Sequence, residues 1–159
     1  MNIESIFVRS DDTQTIADIV RGRLTAPPDP PHLQDAEPLQ SSYDVILAKE
    51  AKRKIALSPV QNGWAQILES KEVADFKLAK KCSADLKTLA IVVQIADVVG
   101  ASGYAVYDRG NVVASYFSDT DDNAAKTVIA VLKENGVPFS IITFRDVIRM
   151  RGQGWQIVS

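Results

Sequence analysis

The sequence predicts an α+β fold, a mostly antiparallel sheet covered on one face by helices, with an N-terminal βα piece and a Pro-rich loop. Three observations predict it. Apolar runs of strand length recur along the chain, turn signals join them at Asn62-Gly63 and at Asp108-Arg109-Gly110-Asn111, and amphipathic helical stripes are interspersed between them. With 159 residues, 46% of them hydrophobic and 24% charged, the chain can bury a real core and is read as one domain.

Ile3 to Arg9 reads as a short strand, and Asp11, Asp12 and Thr13 offer caps to a helix whose Ile16, Ile19, Val20 and Leu24 recur at helical spacing. This βα piece, residues 1–24, is separated from a main body at 44–159 by a loop or linker at 25–43. There Ala26-Pro27-Pro28-Asp29-Pro30-Pro31-His32 forbids a helix interior or a central strand. In the main body, Asp44 to Ala48 and Ile55 to Leu57 are short apolar segments. Asn62-Gly63 turns the chain into a strand over 64–69, because both residues tolerate positive φ. Ser70 is the expected cap of a helix with Ala74, Leu78, Cys82 and Leu86 on its buried stripe and Val73 and Phe76 off it.

Leu89 to Val99 is almost continuous in apolar β formers, the pattern of a strand covered on both faces or central in its sheet. Gly100 and Gly103 bracket a turn, after which Tyr104 to Tyr107 and Val112 to Phe117 make the clearest hairpin of the chain. Ser118 and Asp119 are the expected caps of a helix carrying Ala125, Val128, Ile129 and Leu132, ended by Asn135-Gly136 and Pro138. Phe139 to Ile142 reads as a strand. Thr143 and Asp146 form a capping pair for a short helix stopped at Gly152, and Trp155 to Val158 reads as an edge strand. Trp64, Leu78, Cys82, Leu86, Ile91, Val93 and Val128 are expected to share one core.

Composition excludes more chemistry than it suggests. The net charge of −2 gives no whole-molecule attraction to nucleic acid or to an anionic membrane, and no apolar run is long enough to span a bilayer. The N-terminus lacks the pattern of a signal peptide, and the lone Cys82 suits a reducing, cytoplasmic setting. One Cys and one His argue against a disulfide framework and against a zinc site, so no cofactor and no metal are expected. His32, set between Pro31 and Leu33, is poorly placed for a rigid catalytic role. Cys82 reads as a small core hydrophobe. Asp119, Asp121 and Asp122 lack EF-hand spacing and suit a helix start. The basic cluster Lys49, Lys52, Arg53 and Lys54 matches no nucleic-acid motif.

Gly63-Trp64, Glu69, Leu78-Ala79, Ser83, Tyr104, Tyr107, Gly110 and Tyr116-Phe117-Ser118-Asp119, together with Ile6-Phe7-Val8-Arg9-Ser10-Asp11, carry a resemblance. The chain resembles a group of small bacterial proteins with a Gly-Trp strand, an amphipathic helix and a Tyr-rich hairpin, similar in size and charge to immunity proteins of toxin systems. The resemblance carries over no activity and assigns no functional residue. No coherent catalytic set is present, so no catalytic residue is expected. The reading is a non-enzymatic protein-binding or regulatory module whose partner is another protein or a second copy. Tyr104, Tyr107 and Tyr116 are its candidate binding residues. The alternative is a small hydrolase or ligand-binding protein using carboxylates and Tyr hydroxyls in a cleft between the sheet and the Pro-rich loop, with Glu69, Tyr104 and Tyr107 as its candidates.

Overall fold

The structure, a computed structural model, describes residues 2–25, 53–70, 75–96, 100–138, 143–149 and 154–159. The Pro-rich loop with His32, the segment Asp44 to Ala48, Val73, Ala74, the strand expected at 139–142 and Gly152 lie outside the described residues. The elements in chain order are β1 (Asn2–Arg9), α1 (Thr13–Thr25), β2 (Ile55–Leu57), β3 (Trp64–Glu69) and α2 (Phe76–Asp85). They continue with β4 (Leu89–Ala96), β5 (Ala101–Asp108), β6 (Asn111–Ser118), α3 (Ala124–Glu134), α4 (Phe144–Arg149) and β7 (Gln156–Val158).

Among the described residues seven strands form one sheet in the order β6-β5-β4-β1-β3-β2-β7, and every neighbouring pair is antiparallel. The fold is α+β, as predicted. Within the sheet the run β4-β1-β3-β2, with a helix after β1 and another after β3, has the connectivity of the ferredoxin-like split βαβ motif. β5 and β6 extend it at one edge and β7 at the other.

Two features differ from the sequence reading. The N-terminal βα piece is no satellite: β1 lies between β4 and β3, with Ile6 opposite both Ile67 and Val92. Helices also cover both faces of the sheet. α1 and α2 pack on one face with Ile6, Val8, Ala65, Ile67, Val92 and Tyr107. α3 packs on the other with Phe7, Trp64, Ile91, Val93 and Val106, and α4 covers Ala56 and Leu68 there. The cause is alternation in central strands, where apolar residues at both odd and even positions send side chains to opposite faces that must each be buried. The single expected core is accordingly two clusters. Leu78 and Cys82 belong to the first, with half-buried Leu86 packed against it, whereas Trp64, Ile91, Val93 and Val128 belong to the second.

Local signals explain most boundaries. Asp12 caps α1, accepting from the Thr15 N–H at 2.9 Å. Asn62 and Gly63 take φ values of 50° and 78°, and Gln61 and Trp64 exchange both backbone hydrogen bonds across them. α3 ends in a Schellman motif, with Gly136 at φ 67° and hydrogen bonds Gly136 N–H to Lys133 O and Val137 N–H to Leu132 O. Thr143 and Asp146 make the expected reciprocal cap of α4, Thr143 N–H donating to Asp146 Oδ2 at 2.8 Å and Asp146 N–H to Thr143 Oγ1 at 3.2 Å.

Three expected punctuation points are displaced. Ser70 closes the β2–β3 pair instead of capping a helix, its hydroxyl accepting from Lys54 N–H; Asp75 caps α2, and Phe76 is fully buried. Ser118 and Asp119 start a turn, and α3 begins later, after Asn123. Gly103 lies inside β5, opposite Gln94 and Phe117.

Cys82 is fully buried, and burial pushes its thiol up to about 12, aided by the carboxylates of Asp85 and Asp75. The native protein should therefore react with a thiol reagent at least about a hundredfold more slowly than the unfolded chain at neutral pH. Rapid stoichiometric labelling of the folded protein would contradict the buried assignment.

Candidate functional site

Two places concentrate side chains that sequence reasoning associates with function: the β5–β6 hairpin and a charged cluster at the opposite part of the sheet. The hairpin turns on Arg109 and Gly110, both at positive φ (49° and 83°), the geometry of a two-residue type I′ connection. α2 fixes the turn in place. Gly110 N–H donates to Ser83 Oγ at 3.0 Å, and Ser83 Oγ donates to Thr88 O at 2.7 Å. A Cβ on Gly110 would stand 2.8 Å from the Ala84 Cβ, so only glycine admits the helix this closely.

Alternation then sorts the hairpin aromatics. Tyr107 faces α1 and α2 and is only 2% exposed, so its ring is core and is not presented to a partner. Tyr104 and Tyr116 lie opposite each other on the α3 face, half-buried, with ring centroids 6.0 Å apart and planes 25° from parallel. The Tyr116 hydroxyl donates to Asp121 Oδ2 at 2.9 Å. It is held above the ordinary tyrosine range, by desolvation first and by that carboxylate second. Asp121 is lowered, by the Asn123 N–H first and the Tyr116 hydroxyl second. Both groups thus serve the turn leading into α3.

What the hairpin exposes is its outer strand. Among the described strands β6 is the sheet edge, exposed along most of its length, with Val112 at 50%, Val113 at 59% and Phe117 at 39%. From Asn111 to Ser118 it carries no charged residue. The pairing skips Val113, so a bulge raises that residue out of register with β5. Of the expected binding residues, Tyr104 and Tyr116 border this strip and Tyr107 lies beneath it. Val112 and Val113 were missed, although an uncharged strand flanked by Arg109 and by Asp119 to Asp122 is visible in the sequence.

The charged cluster also escaped the sequence reading, which took Arg53 as part of a surface basic run. Arg53 forks onto Glu69, its Nε on Oε1 and its Nη2 2.9 Å from Oε2, and Nη2 also lies 2.9 Å from Asp75 Oδ2. Arg23 grips the same Asp75 through Nε at 2.9 Å and Nη2 at 3.3 Å, while Leu78 N–H donates to Asp75 Oδ1. All four side chains are between 3% and 14% exposed. Burial raises both carboxyls. At Asp75 the two guanidiniums outweigh it and hold the group below its ordinary range, whereas at Glu69 burial prevails over the Arg53 fork and the group is raised. Burial pulls Arg53 down, and the two carboxylates more than restore it, so it stays protonated. These groups satisfy one another and tie the end of α1 to β3 and to the start of α2. Their chemistry is that of a clamp.

Among the described residues Glu69, Tyr104 and Tyr107 do not gather into one cleft, and the Pro-rich loop named for the hydrolase alternative lies outside them. Tyr104 and Tyr107 point to opposite faces, and Glu69 sits on β3, with β1 and β4 between it and β5. A separate cleft of about 230 Å³ at the start of α3 is lined by Gly100, Ser102 and Asp119 to Asp122. Among the described residues no group of three His, Cys, Asp or Glu side chains is placed to hold a metal ion. No described helix is long and apolar enough to cross a membrane. No family model, no curated protein and no solved structure matches this chain.

Proposed function

We propose that this protein is a non-enzymatic binding module that recognises another protein by strand addition at the edge of its sheet, using β6. The observation that carries this reading is the eight-residue edge strand itself, uncharged and exposing Val112, Val113 and Phe117. Folded proteins ordinarily guard such edges with lysine, proline, a bulge or a covering element, because unpaired backbone N–H and C=O groups template pairing with another chain; here the one bulge, at Val113, leaves 114–118 regularly paired and uncharged. In strand addition the main-chain hydrogen bonds supply affinity and the alternate side chains supply selectivity. The bulge at Val113 and the rim formed by Tyr104 and Tyr116 give this edge a shape to select with. An immunity-like role in a reducing cytoplasm, where the lone buried Cys82 is harmless, is compatible with such a module.

Val113→Lys places a charge on the strip without touching either core, so the folding midpoint should stay within about 0.5 kcal/mol of the parent. Capture of the partner from native lysate should fall at least about tenfold. Undiminished capture by a folded Val113→Lys protein would overturn the reading.

A further inference from the structure

We infer that the partner at β6 is a second copy of this chain, paired antiparallel about a twofold axis at Ser115, so that two sheets join into one. This rests on the edge-binding reading above and adds the identity of the occupant.

The first argument is register. In an antiparallel pair about a twofold, backbone groups facing outward on one strand must meet outward groups on the other, so a residue, not a gap between residues, lies on the axis. With Ser115 on the axis, Val113 meets Phe117 of the other copy and Ala114 meets Tyr116. Each contact then sets a small residue against a large one. The most exposed apolar side chain of the strand, Val113, and its exposed aromatic, Phe117, then cover each other twice. Moving the axis to Ala114 pairs Val113 with Ser115 and leaves Phe117 against Asn111.

The second argument is charge, and it is independent of the first. The strand itself contributes no like charges to repel a second copy. Its turn end carries exposed Arg109, beside half-buried Asp108, and exposed Lys87 next to Thr88, whose carbonyl accepts the Arg109 N–H. Its other end runs into exposed Asp119, Asp121 and Asp122. The twofold at Ser115 brings the Arg109 end of each copy against the acidic run of the other, twice. An edge that is apolar in the middle, basic at one end and acidic at the other is complementary to itself in the antiparallel sense only.

The test is sedimentation of the full chain up to about 1 mM, joined to hydrogen exchange of the β6 amides. A dimer is expected, with β6 amides gaining protection as concentration rises. Val113→Lys should weaken it about tenfold or more. Arg109→Glu alone and Asp119→Lys with Asp122→Lys alone should each weaken self-pairing, while an equimolar mixture of these two folded proteins should pair with each other as the parent does. A monomer throughout overturns the inference, as does a dimer indifferent to these changes. If the chain stays monomeric but Val113→Lys abolishes capture of a different protein, the second-copy inference fails and the edge-binding reading survives. If Val113→Lys alters neither, both fail.

Discussion

Replacing Asp75 with alanine should destabilise the protein by about 3 to 5 kcal/mol, the cost of leaving buried cations without their partner. Asp75 accepts from Arg23, from Arg53 and from the Leu78 N–H at once, so its removal also uncaps α2. Domains of this kind have a total stability on the order of 5 to 15 kcal/mol, so a large part of the molecules should unfold under mild denaturant. Asp75→Asn separates the two contributions, since an amide oxygen can still cap the helix but carries no charge. The pH dependence has a definite sign. Asp75 is held below its ordinary value in the folded state, so its stabilisation is present above the unfolded carboxylate range and is lost as pH falls through the folded value. Denaturation midpoints taken from neutral pH downward should fall more steeply for the parent than for Asp75→Asn. Parallel curves would contradict the assignment.

Tyr107→Ala should cost about 3 to 5 kcal/mol and lower the thermal midpoint by roughly 10 °C, as expected for deleting a large buried ring. The ring fills the space between β5 and α2 in the first cluster. Phe117→Ala, on the same hairpin but 39% exposed, should leave the midpoint nearly unchanged and act on binding. A small effect of Tyr107→Ala in calorimetry would mean that the hairpin packs differently.

That contrast marks how far the sequence reaches. The hairpin was legible because Asp108-Arg109-Gly110-Asn111 is a turn signal between two strand-forming runs, and the end of α3 and the start of α4 because caps are made by neighbours in sequence. Alternation correctly divided the hairpin aromatics between two faces. It could not say which face a helix would cover, and so Tyr107, expected to bind, is core. One helix start slipped because Asp75 caps where Ser70 was expected to, and the other because the Ser118 hydroxyl closes a turn at Thr120 and Asp121 ahead of α3. The cluster of Arg23, Arg53, Glu69 and Asp75 was illegible because its members come together only through the packing of α1 and α2 on the sheet. The position of β1 was hidden for the same reason.

The placement of β1 also bears on how the chain acquires its structure. Ser5 meets Gln66 across 61 residues and Glu4 meets Gln94 across 90. β1 is therefore made well before either neighbour exists, and closing such long loops is what slows the folding of non-local topologies. At translation rates of about 5 to 20 residues per second, β1 waits roughly 5 to 18 s for β4. By contrast, the hairpin of β5 and β6, once made, can close within about 10 μs of its own emergence. Until β3 is made, the strand destined for the middle of the sheet has two open edges, and until β4 is made it keeps one. Nascent chains of this protein should engage chaperones through residues 2–9 until β4 has been made.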